Sequence, residues 1–226
     1  MFLKKLSKVY HYIRCIPKTI FFNFYYLQFR KAIKFPILVN HRTKFIELGG
    51  CIYICDNAKF GKIKLGFGRV QITDNKYSRF IWNMSKTSEI HFGNNIKIGT
   101  GSKLHNQGKI TIGSNVNFSG ETTLVCNKSI TFGDECSVSW HTLFMDTDLH
   151  RISDSRGETL NKNCEIVIEN RVWIGAKATI LKGTTVSQNS IIACNAVAVG
   201  MYPSNSILGG NPARTIGDMH GKSFHH

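Results

Sequence analysis

Along the C-terminal third of the chain, branched apolar residues return every six positions. Ile168, Ile174, Ile180, Val186 and Ile192 hold the interval, and Ala198 continues it. Two places ahead of the beat runs a second fixed phase of β-branched or small residues: Val172, Ala178, Thr184, Ser190 and Ala196. An amphipathic helix would space apolar residues by threes and fours, and a half-buried strand would alternate in twos. A period of six matches neither, so the repeat is itself the structural unit. Six residues make one short strand and one corner, with the aliphatic turned inward and Gly175, Gly183, Asn189 and Asn195 at the bends. Three such sides close a triangular coil. Coils stacked at the strand spacing of about 4.8 Å share a continuous core column.

Upstream the beat comes in shorter runs. Phe92, Ile98, Leu104 and Ile110 form one, Ile112, Phe118, Leu124 and Ile130 a second, and Phe132, Val138 and Phe144 a third. Each is displaced by two, which predicts an extra residue pair at a corner. Before them, "IYICDNAKFGKIKLGFGRVQI" alternates like strand with glycine corners. The coil is therefore expected to begin near Ile46, with "NKYSRFIWN" as an irregular excursion. Between Met145 and Glu165 the beat stops, and the polar stretch there carries Asp146, Asp148 and His150. A repeat that stops and resumes has extruded a loop, here 145–165.

The N-terminus differs in both pattern and charge. Phe2, Leu3, Leu6, Val9, Tyr10 and Ile13 recur at helical spacing, with Lys4, Lys5, Lys8 and Arg14 mostly elsewhere on the wheel. Pro17 is expected to end that helix. The aromatic, basic "TIFFNFYYLQFRKAIKF" that follows has the composition of an interfacial anchor. Residues 1–46 hold ten Lys or Arg and no Asp or Glu, out of a net charge of +15 for 226 residues. Such an excess calls for an acidic partner. No base-reading fold is recognisable, so nucleic acid is not expected. An anionic membrane surface and a simple helical cap over the first coil both fit the segment. No apolar run reaches the roughly eighteen residues of a membrane span, and no signal-peptide pattern is evident. Seven scattered cysteines form no zinc-ribbon pattern and read as free thiols in a reducing compartment. The terminal Phe-His-His resembles a purification tag, so His225 and His226 are given no functional weight.

From Val172 to Gly217 the chain reads "VWIGAKATILKGTTVSQNSIIACNAVAVGMYPSNSILGGNPARTIG", a Val-Trp-Ile-Gly entry, a run of hexads and a Gly-Asn-Pro-Ala-Arg exit. With "SWHTLFMDTDLHRI" ahead of it, this resembles the left-handed β-helix, hexapeptide-repeat acyltransferases. The nearest likeness is to the group of galactoside and maltose O-acetyltransferases and capsule and O-antigen acetyltransferases. It covers roughly residues 45–217 and is most specific over 138–216. The resemblance implies an all-β fold, a left-handed parallel β-helix (a hexapeptide-repeat solenoid) with an N-terminal helical segment. Residues 1–45 would be the basic cap or membrane-surface anchor, 46–217 the acyltransferase coil, and 218–226 a tail. Handedness comes from the resemblance alone, since the usual crossover rule gives the opposite hand. It also implies a homotrimer with active sites in grooves between coils and acetyl-CoA as co-substrate. The acceptor would be a carbohydrate, a surface polysaccharide or its precursor acetylated on a hydroxyl; the alternatives are N-acetylation of an amino sugar, acetylation of a small sugar or antibiotic, and, in a different class, a noncatalytic scaffold. The expected location is cytoplasmic, at the inner face of the membrane where the N-terminus binds it.

Carried onto this chain, the resemblance makes His150 the general base, because a sugar hydroxyl is a poor nucleophile until its proton is removed. Asp146 and Asp148 are both candidates to hold its tautomer, since an extended segment would place both on the face of His150. His141 is the second candidate base or a substrate contact. Ser119 and Glu121 fall on the acceptor side of an earlier coil, although composition alone makes Glu121 a solvated residue. Trp173 would pack near the cofactor's thiol arm, with Gly175 and Ala176 letting that arm approach the backbone and Cys194 as a small wall residue. Lys177, Lys182 and Arg214 could meet the coenzyme phosphates. A γ-type carbonic anhydrase would need three histidines around zinc. His91, His105, His141 and His150 are present in a different spacing, and no metal is expected.

Overall fold

Three sheets take the repeat in rotation. In the computed structural model, which describes residues 2–68, 70, 74 and 77–224 (backbone alone for 2–5), each coil gives one strand to each sheet. The first sheet has nine strands and the other two have seven each. All pair in parallel except Ala213–Asp218, which folds back on Ser206–Gly210. The result is the expected left-handed parallel β-helix with an N-terminal helix.

Register accounts for the broken beat. Lys97 stands over Asn117 and Asn117 over Ser137, twenty residues per coil. Trp173 stands over Ile191, eighteen per coil. The extra pair sits at the corner between the second and third sheets. There Asn106, Cys126 and Asp146 are buried two places after Leu104, Leu124 and Phe144. Asn106 Nδ2 donates to Glu89 O at 2.8 Å, tying its corner to the coil beneath. Both sequence phases point inward: Val172, Ile174, Ala178, Ile180, Thr184, Val186, Ser190, Ile192, Ala196 and Ala198 are all fully buried. In the middle coils Phe118, Phe132 and Phe144 stack edge to face with 4.9 Å between successive rings. Each fully buried aliphatic or aromatic contributes roughly 1.5–3 kcal/mol.

The structure differs from expectation at the N-terminal end. The coil starts at Ile37–Val39, already paired in the first sheet, rather than near Ile46. The "NKYSRFIWN" excursion ends early: Ile81–Met84 is a strand of the second sheet and Trp82 is fully buried, while Asn75 and Lys76 lie outside the described residues. Helix α1 (Phe2–Tyr26) passes through Pro17 instead of ending there. Proline removes one hydrogen bond and crowds the preceding turn, but the residues after it are locked to the coil. Asn23 Nδ2 donates to Ile37 O at 2.7 Å, and its Oδ1 accepts the Ile37 N–H at 3.3 Å. Thr19 Oγ1 accepts the Val39 N–H at 3.1 Å. These side chains cover the open edge of the first strand. Trp82 Nε1–H donates to Tyr26 Oη at 3.0 Å, so the helix also satisfies the buried indole. Burial pushes the Tyr26 phenol up to about 12. The α1 segment thus caps the coil.

Its outer face is different. Leu6, Val9, Ile13, Ile16, Ile20 and Phe24 form an exposed stripe at three- and four-residue spacing along the helix. No described helix is long and apolar enough to cross a membrane.

Candidate functional site

The insertion leaves the second sheet after Met145 and rejoins the third at Ile166, at the corner that holds the extra pair. Asp146 is fully buried there. Its carboxylate accepts the backbone N–H groups of Asn127, Lys128 and Ser129, each at 2.7 Å. Its carbonyl accepts the Cys164 N–H at 3.2 Å and closes the neck of the loop. Asp146 therefore holds the coil beneath rather than the histidine. The segment beyond it is not extended, because Leu149 adopts a left-handed conformation with φ 60°. That turn removes the shared face expected for Asp146, Asp148 and His150.

Asp148 pairs with the Lys182 ammonium and accepts from Asn161 Nδ2 at 2.8 Å. The hydrogen bonds from Lys182 and Asn161 hold its carboxyl below the ordinary aspartate range. Asn161 also donates to the His150 carbonyl at 2.7 Å, and its Oδ1 accepts the Ile152 N–H at 2.7 Å. The His150 N–H donates to Asp148 O at 2.7 Å. The backbone of His150 is thus fixed on both sides. Its side chain is exposed, and the imidazole makes no hydrogen bond among the described residues. Sequence reasoning missed Asn161, since one asparagine in a polar loop carries no distinguishing signal. Lys182 is occupied by the loop, with Nζ also 3.3 Å from Asn161 O.

The other candidates lie on the first sheet and its corner with the second. Gly101, Glu121, His141, Lys177 and Asn195 occupy that corner one per coil, with φ of 77°, 56°, 57°, 58° and 60°. Left-handed backbone suits glycine and asparagine but costs other residues about 1–2 kcal/mol. Glu121, His141 and Lys177 are held there against that cost, on one edge of the prism. The Glu121 side chain is only 14% exposed. It accepts from Ser78 Oγ at 2.6 Å and lies 3.1 Å from Lys103 Nζ, so it is a clamped group rather than a solvated one. Ser119 is half-buried two residues earlier, its N–H donating to Val138 O at 2.8 Å.

Trp173 faces outward from the first sheet, with Nε1–H 3.3 Å from Ser139 Oγ. A Cβ on Gly175 would come within 2.7 Å of the Cys194 backbone nitrogen, so the coil above already requires glycine there. Ala176 is half-buried beside it, and Cys194 is exposed one coil on. Arg214 is exposed on the terminal antiparallel strand of the same sheet, its Nη1 donating to Ala213 O at 2.8 Å. The first sheet lies opposite the corner that extrudes the loop. Within one chain, therefore, His150 and Trp173 stand on opposite sides of the prism.

The four histidines weighed for zinc are dispersed. His91 stacks on Tyr53 in the third sheet, His105 contacts Asn83 in the second, and His141 and His150 occupy two different corners. Among the described residues, the group with metal-binding geometry is His11, Cys15 and His41 near the N-terminus.

No protein-family model matches the chain. It is 25% identical over 151 residues to the putative lipopolysaccharide biosynthesis O-acetyl transferase WbbJ of Escherichia coli strain K12, covering 61% of this chain and 76% of that protein. It is 30% identical over 125 residues to the galactoside O-acetyltransferase of Lactococcus lactis, covering 50% of this chain and 59% of that one. In sequence the chain is thus similar to O-acetyltransferases. In fold, the chain is similar to the polysialic-acid-specific acetyltransferase NeuO, with a TM-score of 0.55 at 18% identity over 84% of this chain and 79% of that one. The extruded loop and the first-sheet edge are the two surfaces where its candidate residues collect.

Proposed function

We propose that the chain is an acetyl-CoA-dependent O-acetyltransferase acting on a sugar hydroxyl of a surface polysaccharide or its precursor. The observation that carries this reading is the exposed imidazole of His150 on a backbone clamped by Asp148, Asn161 and Lys182. The names of the sequence relatives support acetyl as the group and a saccharide as the acceptor. In the reaction, the imidazole takes the hydroxyl proton as the oxygen attacks the thioester carbonyl. Collapse of the tetrahedral intermediate breaks the C–S bond, and the imidazolium returns the proton to the thiolate. Trp173, Gly175, Ala176, Lys177, Cys194 and Arg214 form the coenzyme side, and Ser119, Glu121 and His141 the acceptor side. Because the loop and the first sheet lie on opposite sides of one chain, a complete site takes its histidine from a neighbouring copy in a homotrimer.

The outer face of α1 supports contact with a membrane surface. An apolar stripe on the side away from the coil, in a segment of ten cations and no acids, suits an interfacial helix over anionic lipid.

The test is a turnover assay of His150→Ala with acetyl-CoA and a panel of saccharide acceptors. A fall of roughly 10²- to 10⁴-fold at unchanged melting temperature is expected. Full activity in the variant would move the base to another residue, with His141 next.

A further inference from the structure

A cavity of about 980 Å³ lies between α1 and the first coils. Among the described residues five cations line it: Lys8 and Arg14 from α1, and Arg42, Lys64 and Lys97 from the coil; no described Asp or Glu is among the lining residues. Lys64 and Lys97 are register partners on adjacent parallel strands, an arrangement that repels. Arg42, Lys64 and Lys97 are half-buried, and none of the five forms an ion pair among the described residues. His41 also lines the space, and its Nε2 is buried without a hydrogen bond among the described residues. Burial, and then Arg14 and the other nearby cations, push the His41 pKa down to about 4. One wall is flat and apolar, where the Tyr12 and Phe67 rings stack at 5.7 Å.

Like charges held together without acids suit an anion rather than a cation. The same charges argue against metal at His11, Cys15 and His41, although their donor atoms lie within 4.8 Å of one another. We propose that this cavity binds the phosphate or diphosphate of a ligand whose adjoining planar or apolar part lies on Tyr12 and Phe67. The cavity adjoins the candidate edge. Ser78 in its wall donates to Glu121, and Thr100 in its wall lies two coils, about 10 Å, from His141. A sugar carried on the bound phosphate would point along that edge; this last step alone rests on the acetyl-transfer reading.

Nucleotide sugars and lipid-diphosphate carriers share this chemistry. Titration calorimetry on the full chain, at fixed ionic strength, would use inorganic pyrophosphate, uridine diphosphate and farnesyl diphosphate. Saturable binding is expected, weakened about tenfold or more by Arg42→Gln or Lys97→Gln and unchanged by Lys128→Gln, which removes an exposed charge at a different corner. Tighter uridine diphosphate identifies the nucleotide source, and tighter farnesyl diphosphate the lipid source. Equal affinities mean the phosphate alone is recognised. No binding of any probe, or equal weakening by Lys128→Gln, overturns the site. Melting temperatures are measured alongside, and Lys64→Gln replaces any variant that melts early. Pyrophosphate binding in a chain with no transferase activity would keep this site and sink the acetyl-transfer reading.

Discussion

A carboxylate that accepts three backbone N–H groups leaves three buried donors unpaired when it is removed. Asp146→Ala is therefore expected to lower stability by about 3 kcal/mol or more, a fall of roughly 6–12 °C in melting temperature for a chain of this size. A calorimetric scan unchanged in the variant would contradict that assignment. Asp148, two residues on, is exposed and acts on the loop alone. Its folded pKa lies below the unfolded one, so its anchoring is present above the ordinary aspartate pKa of about 3.9 and is lost as pH falls through the lower folded value. Amide protection in the loop should hold from pH 7 to about 5 and drop below about 4, and Lys182→Gln should lower it at every pH. Protection in Lys182→Gln equal to the unsubstituted chain would break the link. The sequence placed His150 on a loop because the six-residue beat stopped around it. The work of Asp146 was readable only through the twenty-residue step that aligns it with Asn106 and Cys126. The turn at Leu149 has no sequence signal, since nothing in a leucine announces left-handed backbone.

Helix α1 has two faces with separate tasks, and each can be removed without the other. Asn23, Thr19 and Tyr26 on the inner face close the first strand and the Trp82 indole. Ile13 and Ile20 on the outer face touch none of this and are exposed. Replacing both with aspartate should abolish co-sedimentation with phosphatidylserine vesicles while leaving the melting temperature within about 4 °C, because substitutions at exposed positions are usually within ±0.5 kcal/mol each. Added salt should weaken binding of the unsubstituted chain, because each cation near anionic lipid contributes about 1 kcal/mol that ions screen. Binding retained by the double variant would rule out the stripe as the contact. The helical period of α1 was legible from its apolar spacing. Its continuation through Pro17 was not, because that depends on contacts with residues 37–39 and 82, distant in sequence. The strands of the coil were legible for the opposite reason: each inward residue repeats at short range.

At the scale of the whole molecule, the triangular section separates the two halves of the proposed chemistry. The loop bearing His150 leaves the corner between the second and third sheets, and Trp173 lies on the opposite face. In the proposed homotrimer, cyclic symmetry would bring one copy's corner against the next copy's face, so each site would draw on two chains. This makes mixed assemblies informative. His150→Ala and Trp173→Ala are each expected to be nearly inactive alone. After co-refolding at equal ratio, any one interface has about one chance in four of joining an intact loop to an intact face in a closed ring. Activity should therefore return to about a quarter of the unsubstituted level, in fractions with the mass of three chains. If each chain carried a whole site, mixing would restore nothing, and the loop would have to reach around its own prism to the first sheet. That would require breaking the Lys182–Asp148 pair and the Asn161 bonds that hold it at its corner.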